Sequence, residues 1–379
     1  MVKSYTDPSI SAPNGITTGP DGAVWFTNRN LNVIGRITTA GVVSSYNDPS
    51  SSIPLGITTG PDGALWFANL GNNVIGRITT TGVSAYYTNP TVIGPVAIAT
   101  GSDGALWFTN KSSIGRITTS GVITNYTSST IDEPLSIAAG PDKALWFTNY
   151  RNNSIGRITT SGIVTNYTSP KIRGPYAITA GPDGAMWFTN DANNSIGRIA
   201  ASGVVTNYTS PTVNSPDSIT AGPDGALWFT NDHDNSIGRI TTLGVITNYT
   251  SSTIAAPDAI TAGPDGAVWF TNSGNDSIGR ITTGRFEKLA IISSDHASVT
   301  ANSGFTFTVS TTGTSVPSIT ETGALPNGVA FVNNGNGTAT ISGSPAAVGV
   351  SHLTITATFG KGKTKRVVTQ AFSLTVSSA

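Results

Sequence analysis

The stretch Gly222-Pro223-Asp224-Gly225-Ala226-Leu227-Trp228-Phe229-Thr230-Asn231 occurs, with small changes, seven times in the 379-residue chain. All seven tryptophans of the protein lie in copies of it: Trp25, Trp66, Trp107, Trp146, Trp187, Trp228 and Trp269. Successive tryptophans are 41, 41, 39, 41, 41 and 41 residues apart. A fixed period of this length indicates one supersecondary unit that is copied and stacked.

Each repeat predicts four short strands. In the sixth repeat they are Asp217–Ala221, Ala226–Asn231, Ser236–Thr241 and Val245–Thr250, rich in β-branched and aromatic residues. The Pro-Asp-Gly between the first two strands is a tight-turn signal, because it combines a fixed φ, an Asx hydrogen bond and a residue that tolerates positive φ. Four strands per repeat in seven copies predict an all-β fold, a seven-bladed β-propeller.

The two ends of the repeat region complement each other. The seventh repeat ends at Thr283 without a fourth strand, while Val2–Thr6 matches the fourth strand Ile246–Thr250 of the sixth. We therefore predict that the N-terminal strand closes the last blade, which removes two exposed strand edges by pairing them.

The character of the chain changes after the repeats. We predict two domains, the propeller over residues 1–284 and a second β domain over residues 285–379, in which Asn334-Gly335 is a hairpin signal. Several short strands in so few residues favour a β-sandwich. The segments Phe305–Val309 and Gly337–Gly343 resemble the immunoglobulin-like modules attached to bacterial exported proteins. That resemblance implies an accessory or adhesion role for the second domain.

Composition excludes several function classes. Net charge is zero and charged residues make up 11%, which argues against nucleic-acid binding. The chain has no cysteine, so disulfides and thiolate chemistry are excluded, and its apolar runs are too short to span a membrane. We expect an extracellular bacterial protein, secreted with a signal peptide that is not part of this sequence, and we expect a monomer.

The repeat pattern Pro-x-x-Ile-Thr-x-Gly-Pro-Asp-Gly-x-x-Trp-Phe-Thr, followed by Ile-Gly-Arg-Ile-Thr, resembles the virginiamycin B lyase (streptogramin lyase) family over all seven repeats. The resemblance implies a propeller whose members open a cyclic depsipeptide lactone by elimination, with Mg²⁺ and with His and Glu side chains at the top centre. The family's two His follow the proline that opens the innermost strand of the last two blades, where this chain has Asp217 and Asp258. At the positions of its two Glu stand Ala256 and Ser273.

Asp217 and Asp258 are the main candidate residues, because they occupy equivalent places in adjacent blades. Two close carboxyls could act as a catalytic acid–base pair, since the charge on one raises the pKa of the other. They could also hold a hard cation such as Mg²⁺ or Ca²⁺ through oxygen ligands. In a third interpretation each carboxylate only accepts backbone N–H bonds after its proline.

The residue after the opening proline differs between blades. Asn14 and Tyr176 take this place in the first and fifth blades, whereas Leu55, Val96 and Leu135 take it in the second to fourth. The mouth of the central shaft should therefore be half polar and half apolar. A purely structural ring has no need of this asymmetry, so it favours a bound ligand, although Tyr176 could equally fill space.

Three further sets of residues have two interpretations each. The asparagine that ends Trp-Phe-Thr-Asn, including Asn231 and Asn272, could bind sugar hydroxyls or satisfy backbone groups at the strand end. His233, between Asp232 and Asp234, could bind a ligand or lie at a solvated loop tip. The seven arginines of Ile-Gly-Arg match the seven turn aspartates one for one, which favours structural pairing over anion binding.

Three functions remain open from the sequence. The leading hypothesis is an exported lyase-like propeller that binds a small polar molecule or a glycan at the top-centre shaft. The second is a ring-opening lyase or lactone hydrolase that uses Asp217 and Asp258 with a divalent cation. The third is an inert structural surface protein.

Overall fold

The computed structural model describes residues 2–47, 50–282, 290–291, 293–312, 316–359 and 366–378. It divides into two compact units, residues 1–283 and residues 284–379. The division lies one residue before the boundary expected from the end of the tryptophan period. Each unit is described by itself below.

The described part of the first unit contains seven four-stranded antiparallel sheets, which we call blades 1 to 7. The innermost strands, six of which begin at the proline of the repeat, are β2 (Pro13–Thr18), β6 (Pro54–Thr59), β10 (Ile98–Thr100), β14 (Pro134–Ala139), β18 (Pro175–Ala180), β22 (Pro216–Ala221) and β26 (Pro257–Ala262). The second strands, which carry Trp-Phe, are β3 (Val24–Asn28), β7 (Leu65–Asn69), β11 (Leu106–Asn110), β15 (Leu145–Asn149), β19 (Met186–Asn190), β23 (Leu227–Asn231) and β27 (Val268–Asn272).

The outer half of each blade consists of a third and a fourth strand. The third strands are β4 (Val33–Ile37), β8 (Val74–Ile78), β12 (Ser113–Ile117), β16 (Ser154–Ile158), β20 (Ser195–Ile199), β24 (Ser236–Ile240) and β28 (Ser277–Ile281). The fourth strands of blades 1 to 6 are β5 (Val43–Asn47), β9 (Ser84–Tyr87), β13 (Ile123–Tyr126), β17 (Val164–Thr168), β21 (Val205–Thr209) and β25 (Ile246–Thr250). A short 3-10 helix, Asp191–Asn193, follows β19.

The N-terminal strand β1 (Val2–Thr6) supplies the fourth strand of blade 7. It pairs antiparallel with β28, from Val2 opposite Ile281 to Thr6 opposite Ser277. Tyr5 stacks on Trp269 with ring centroids 5.4 Å apart, as the fourth-strand tyrosines of the other blades stack on their own tryptophans. The closure predicted from the two ends of the repeat region is confirmed.

Neighbouring innermost strands pack against one another, and β2 contacts both β6 and β26, so the blades form a closed ring. The second strands are buried along their whole length, and each tryptophan is at most 1% exposed. In the core that joins blades 7 and 1, for example, Trp269 packs with Val24 and Phe26. Each tryptophan removes on the order of 150–250 Å² from water, so these contacts hold neighbouring blades together.

The turns at one end of the blades use the repeated Asp, Trp and Arg together. In blade 5 the carboxylate of Asp183 accepts from Trp187 Nε1 at 3.0 Å and from Arg198 Nε at 2.6 Å. The same ion pair recurs in every blade, and each guanidinium lies over the indole ring. The structural pairing predicted for these residues is confirmed, and these arginines are engaged within the fold.

The second unit contains two four-stranded sheets in its described part. One has the order β29 (Ala290–Ile291), β31 (Phe305–Thr312), β34 (Thr338–Gly343), β33 (Val329–Asn333), and the other β30 (His296–Thr300), β36 (Arg366–Ser377), β35 (Gly349–Phe359), β32 (Ser318–Gly323). A core of apolar side chains from both sheets, including Val309, Ile341, Ile355 and Leu374, is buried.

Candidate functional site

The residue that follows each opening proline forms a ring at the start of the innermost strands. We call it the post-proline ring and the face on which it lies the upper face; its members are Asn14, Leu55, Val96, Leu135, Tyr176, Asp217 and Asp258. In blade 6 the strand pairing shifts between Pro216 and Ile219, and the same irregularity recurs in every blade except the third. A bulge of this kind re-aims side chains, and bulges are common beside functional sites.

A threonine hydroxyl fixes the backbone of this bulge and links one blade to the next. Thr230 Oγ1 accepts the Ser218 N–H of its own blade at 2.9 Å and donates to the carbonyl oxygen of Asp258 in the next blade at 2.7 Å. Thr189 does the same for Asp217, at 2.7 Å. This role of the threonine was not predicted from the sequence. The signal was the Thr of Trp-Phe-Thr, which occurs in six repeats and is Ala68 in the second.

Small residues behind the post-proline ring let the innermost strands approach closely. A Cβ atom on Gly15 would lie 2.3 Å from the carbonyl oxygen of Leu55, and one on Gly56 would lie 2.8 Å from that of Val96. Backbone cannot yield to such contacts cheaply, so glycine is required at these two places. The ring residues are therefore held on a tightly packed, rigid scaffold.

Asp217 and Asp258 come together as a hydrogen-bonded pair of carboxyls. Burial raises the pKa of Asp258 to about 6, although the Asn14 amide and the charge of Arg29 act in the opposite direction. Burial, and then the negative charges of Asp258, Asp232 and Asp191, raise the pKa of Asp217 well above its usual range. The pair therefore keeps a proton to higher pH than an isolated carboxyl does, and Asp217 is the carboxyl that holds it more readily.

Asn14 and Tyr176 flank this pair on the ring. Asn14 Nδ2 donates a hydrogen bond to Asp258 Oδ2, across the closure between blades 1 and 7. The charge of Asp217, followed by burial and the charge of Asp258, raises the pKa of the Tyr176 phenol, which therefore remains a hydrogen-bond donor. Its ring meets Tyr150 edge to face, with centroids 6.2 Å apart.

A cavity of about 170 Å³ opens beside the pair, and its lining is acidic. It is lined by Tyr176, by the three aspartates Asp191, Asp217 and Asp232, and by Ser215 and Pro216. Ser215 Oγ donates to Asp191 Oδ1 at 2.7 Å. Convergent polar groups around a concavity are the usual sign of a ligand site.

The structure thus brings four of the predicted site residues together: Asp217, Asp258, Asn14 and Tyr176. It does not bring Asn231 and Asn272 to them, because both side chains are fully buried within their blades. Asn231 Nδ2 donates to the Thr212 carbonyl and to Ser236 Oγ, both at 3.1 Å. Asn272 Nδ2 makes the matching bonds to Thr253 and Ser277. These amides satisfy backbone and hydroxyl groups at the strand end, so ligand contact by Asn231 and Asn272 is withdrawn.

His233 lies at the exposed tip of the loop that joins β23 and β24. Its neighbour Asp234 accepts a hydrogen bond from Asn214 Nδ2 at 2.7 Å, which ties the loop to the preceding segment. Asp232, in the same loop, lines the cavity, whereas His233 is not among the lining residues. Its role as a ligand contact stays a prediction.

The donor set fits a divalent cation poorly. In the described ranges, no group of three or more His, Cys, Asp or Glu side chains is arranged to hold a metal ion. The raised pKa values of Asp217 and Asp258 work against the deprotonated form that a metal ligand needs, and Ca²⁺ takes six to eight oxygens. The chemistry proposed below therefore rests on the chain's own residues.

Among the described residues, no helix combines the length and the apolar character needed to traverse a lipid bilayer.

Comparison with known proteins shows where this fold recurs. Residues 1–133 and 93–328 match the sequence profile of the virginiamycin B lyase family. A solved streptogramin B lyase is 36% identical over 74% of this chain and 96% of its own, with a TM-score of 0.69. A catalytically inactive variant of virginiamycin B lyase from Staphylococcus aureus, solved with quinupristin, is 38% identical over 74% of this chain and 98% of its own, with a TM-score of 0.70.

A more distant match supports the fold alone. The WD40 β-propeller domain of Doa1 is 9% identical over 75% of this chain and 96% of its own, with a TM-score of 0.63. The first unit is therefore a β-propeller.

Proposed function

The chain belongs to the virginiamycin B lyase family, and on that premise we propose that it binds a small polar molecule or a glycan at the post-proline ring. The observation that carries the proposal is the hydrogen-bonded pair Asp217–Asp258 beside an acidic cavity of about 170 Å³. Asn14 and Tyr176 add a donor on each side, so hydroxyl groups of a ligand would find both donors and acceptors. In this proposal the family's two His are replaced by the two aspartates.

We also propose the setting of this site. Seven repeats and seven sheets support a seven-bladed propeller, and two packed sheets support an immunoglobulin-like module after it. The low charge content and the absence of cysteine support an exported protein. In this arrangement the propeller carries the ligand site and the module serves as an accessory or adhesion unit.

A glycan array followed by calorimetry tests the proposed binding. We expect saturable binding to the wild type and at least a tenfold loss in Asp217→Ala, because a hydrogen bond to the ligand is lost and Asp258 loses its partner, at a cost of about 1–3 kcal/mol. Asp132→Asn, in a blade 4 loop, is the matched control and should bind as the wild type does. If wild type and Asp217→Ala behave alike toward every ligand class, the proposal fails.

The second candidate function is ring opening of a lactone, and the raised pKa of Asp258, about 6, favours it. A carboxylate with that pKa can, near neutral pH, remove a proton from the carbon next to the one that bears the alkyl oxygen of the ester. The electron pair then expels the ester oxygen as a carboxylate, which leaves a double bond in the product. Protonated Asp217 would donate a hydrogen bond to the oxygen that gains charge.

The enzyme hypothesis is tested by incubation with a streptogramin B and with simple lactones, in the presence and absence of EDTA. Turnover in the wild type that disappears in both Asp217→Asn and Asp258→Asn would replace binding as the main function. Turnover that survives both substitutions would show that the pair is not the acid–base machinery.

A further inference from the structure

The post-proline ring is divided into two continuous arcs of opposite chemistry. Blades 5, 6, 7 and 1 contribute polar or acidic side chains, which are Tyr176, Asp217, Asp258 and Asn14 in that order. Blades 2, 3 and 4 contribute aliphatic side chains, which are Leu55, Val96 and Leu135. We call these the acidic arc and the apolar arc. The hydrogen bond from Asn14 to Asp258 shows that the acidic arc is continuous across the closure.

The apolar arc is partly exposed, although its side chains are aliphatic. Leu55, Val96 and Leu135 are of intermediate burial, and none of them belongs to the buried core clusters between blades. The carbonyl oxygens of Leu55 and Val96 accept hydrogen bonds at 2.8 Å and 2.9 Å from the neighbouring blade, as those of the acidic arc do. The apolar side chains thus stand at places equivalent to those of the aspartates, and they leave apolar surface open at the upper face.

The cavity beside the acidic arc has a surplus of acceptors. Asp191, Asp217 and Asp232 supply carboxyls to its lining, and no basic residue lines it within the described part of the chain. The positive charge of Arg29 lowers the pKa of Asp258, which adjoins the cavity through Asp217 but is not among its lining residues. A ligand that enters this cavity must bring hydrogen-bond donors and positive charge to be stabilised there.

Tyr176 adds a surface that suits a cation. Tyr176 is 39% exposed, although its ring meets that of Tyr150 edge to face, so part of this residue is open to a ligand. Aromatic faces attract ammonium groups, more strongly when water is excluded. The aromatic ring of Tyr176 and the carboxyl of Asp217 belong to the lining of the same cavity.

We infer that the ligand of the post-proline ring is a small amphipathic amine, with its ammonium group in the cavity of the acidic arc and its hydrocarbon part across the apolar arc. This inference rests on the proposed function and specifies the ligand class. The cavity volume of about 170 Å³ is below the roughly 300–1,000 Å³ of sites for drug-sized ligands, so it accommodates a head group rather than a whole ligand.

Calorimetry with four simple probes tests the inference: hexylamine, butylamine, hexanol and hexanoate. We expect hexylamine to bind at least tenfold more tightly than hexanol and hexanoate to show no binding, because the cavity attracts positive charge. Butylamine should bind more weakly than hexylamine by up to about fourfold per missing methylene, the factor for burying one CH₂.

Two variants test the contributions of the acidic arc and of the apolar arc separately. Asp232→Asn, which removes a cavity charge outside the hydrogen-bonded pair, should weaken hexylamine at least threefold and leave hexanol unchanged. Leu135→Ala should reduce the difference between hexylamine and butylamine and leave the salt dependence of amine binding unchanged. Near-UV circular dichroism confirms that each variant is folded.

The outcomes distinguish this inference from the proposed function. Binding of neutral sugars without binding of hexylamine overturns the amphipathic amine and leaves the proposed ligand site standing. Hexanol binding as tightly as hexylamine also overturns it, since charge would then play no part. If neither the amines nor any member of the glycan array binds the folded wild type, both proposals fail.

Discussion

At the scale of single residues, the site depends on where one proton resides. Asp217 and Asp258 are equivalent in the repeat, but their surroundings differ, because Asn14 and Arg29 favour the charged form of Asp258. Asp217 instead faces the charges of Asp258, Asp232 and Asp191. The proton therefore stays on Asp217, and the repeat yields two carboxyls with different roles.

The raised pKa of Asp258 predicts how stability depends on pH. Its pKa of about 6 in the folded state lies above the usual aspartate pKa of 3.8, so the folded state binds more protons between these two pH values. Stability is lost as pH rises from about 4 to about 6, and the loss persists above that. Asp258→Asn removes the ionisation and keeps an oxygen that accepts from Asn14, so it should be more stable than the wild type at pH 7.5, by on the order of 1–3 kcal/mol.

Denaturant unfolding at pH 4 and pH 7.5 measures this effect. The advantage of Asp258→Asn over the wild type should be small at pH 4 and should reach its full size above pH 6. Asp132→Asn serves as the control. An advantage that is the same at both pH values would show that Asp258 is not buried in a protonated pair.

At the scale of the element, the innermost strand and the second strand of the next blade act as one positioning unit. The bulge after the proline presents the ring residue, and the threonine of the preceding blade holds its carbonyl. Blade 2 has Ala68 in place of the threonine, and there the carbonyl oxygen of Val96 accepts from the Gly56 N–H at 2.9 Å. At Val96, the ring residue of blade 3, a backbone N–H therefore takes the place of the threonine hydroxyl.

Thr230→Val should lose on the order of 1–3 kcal/mol of stability, because it leaves the Ser218 N–H and the Asp258 carbonyl without their shared hydroxyl. It should also shift the pKa of Asp258, since the backbone that presents this carboxyl is released. Thr27→Val removes the same two bonds at Gly15 and Leu55, and it is the matched control.

Denaturant unfolding gives the stability of both variants, and an NMR titration of the carboxyl carbons gives the pKa. We expect similar losses of stability and a shifted pKa in Thr230→Val alone. Equal pKa shifts in both variants, or none in either, would show that the threonine does not position the carboxyl.

Much of the element structure could be read from the sequence, and the reason is physical. The period of the tryptophans, the Pro-Asp-Gly turns and the match of Val2–Thr6 to Ile246–Thr250 are local patterns, and local patterns predict strands. From the sequence alone, the asparagines at the ends of the second strands are plausible ligand-binding residues, because each amide can both donate and accept hydrogen bonds. Only coordinates show that Asn231 turns inward to the Thr212 carbonyl.

The acidic cavity could be anticipated only in part, for the same reason. The sequence shows that Asp217 and Asp258 occupy equivalent places, but not that they share a proton or that Asp191 and Asp232 face them. Loop residues are brought there by the fold and follow no period.

At the scale of the whole molecule, the propeller is one ring closed by non-covalent contacts at a single place. In blades 1 to 6 a short turn joins the third and fourth strands, whereas β1 and β28 of blade 7 lie at opposite ends of the repeat region. Tyr5 stacks on Trp269 and Ser4 Oγ bonds to Ser277 Oγ at 2.9 Å. Asn14 and Asp258 meet across the same closure, so the ligand site depends on it.

This asymmetry predicts different consequences for two equivalent tyrosines. Tyr46 stacks on Trp25 at 5.1 Å much as Tyr5 stacks on Trp269 at 5.4 Å, so Tyr46→Ala and Tyr5→Ala should each cost on the order of 2–4 kcal/mol. In Tyr46→Ala the strand remains tethered to its neighbour by a short turn and pairs again at once. In Tyr5→Ala the released β1 leaves the edge of β28 open to the β1 of a second molecule, because an unpaired edge is a template for another strand. Size-exclusion chromatography at increasing protein concentration should therefore show dimers or larger species for Tyr5→Ala and a single species for Tyr46→Ala. Identical elution of the two variants at every concentration would show that closure does not depend on this strand, and that the ring is held by the contacts between its innermost strands.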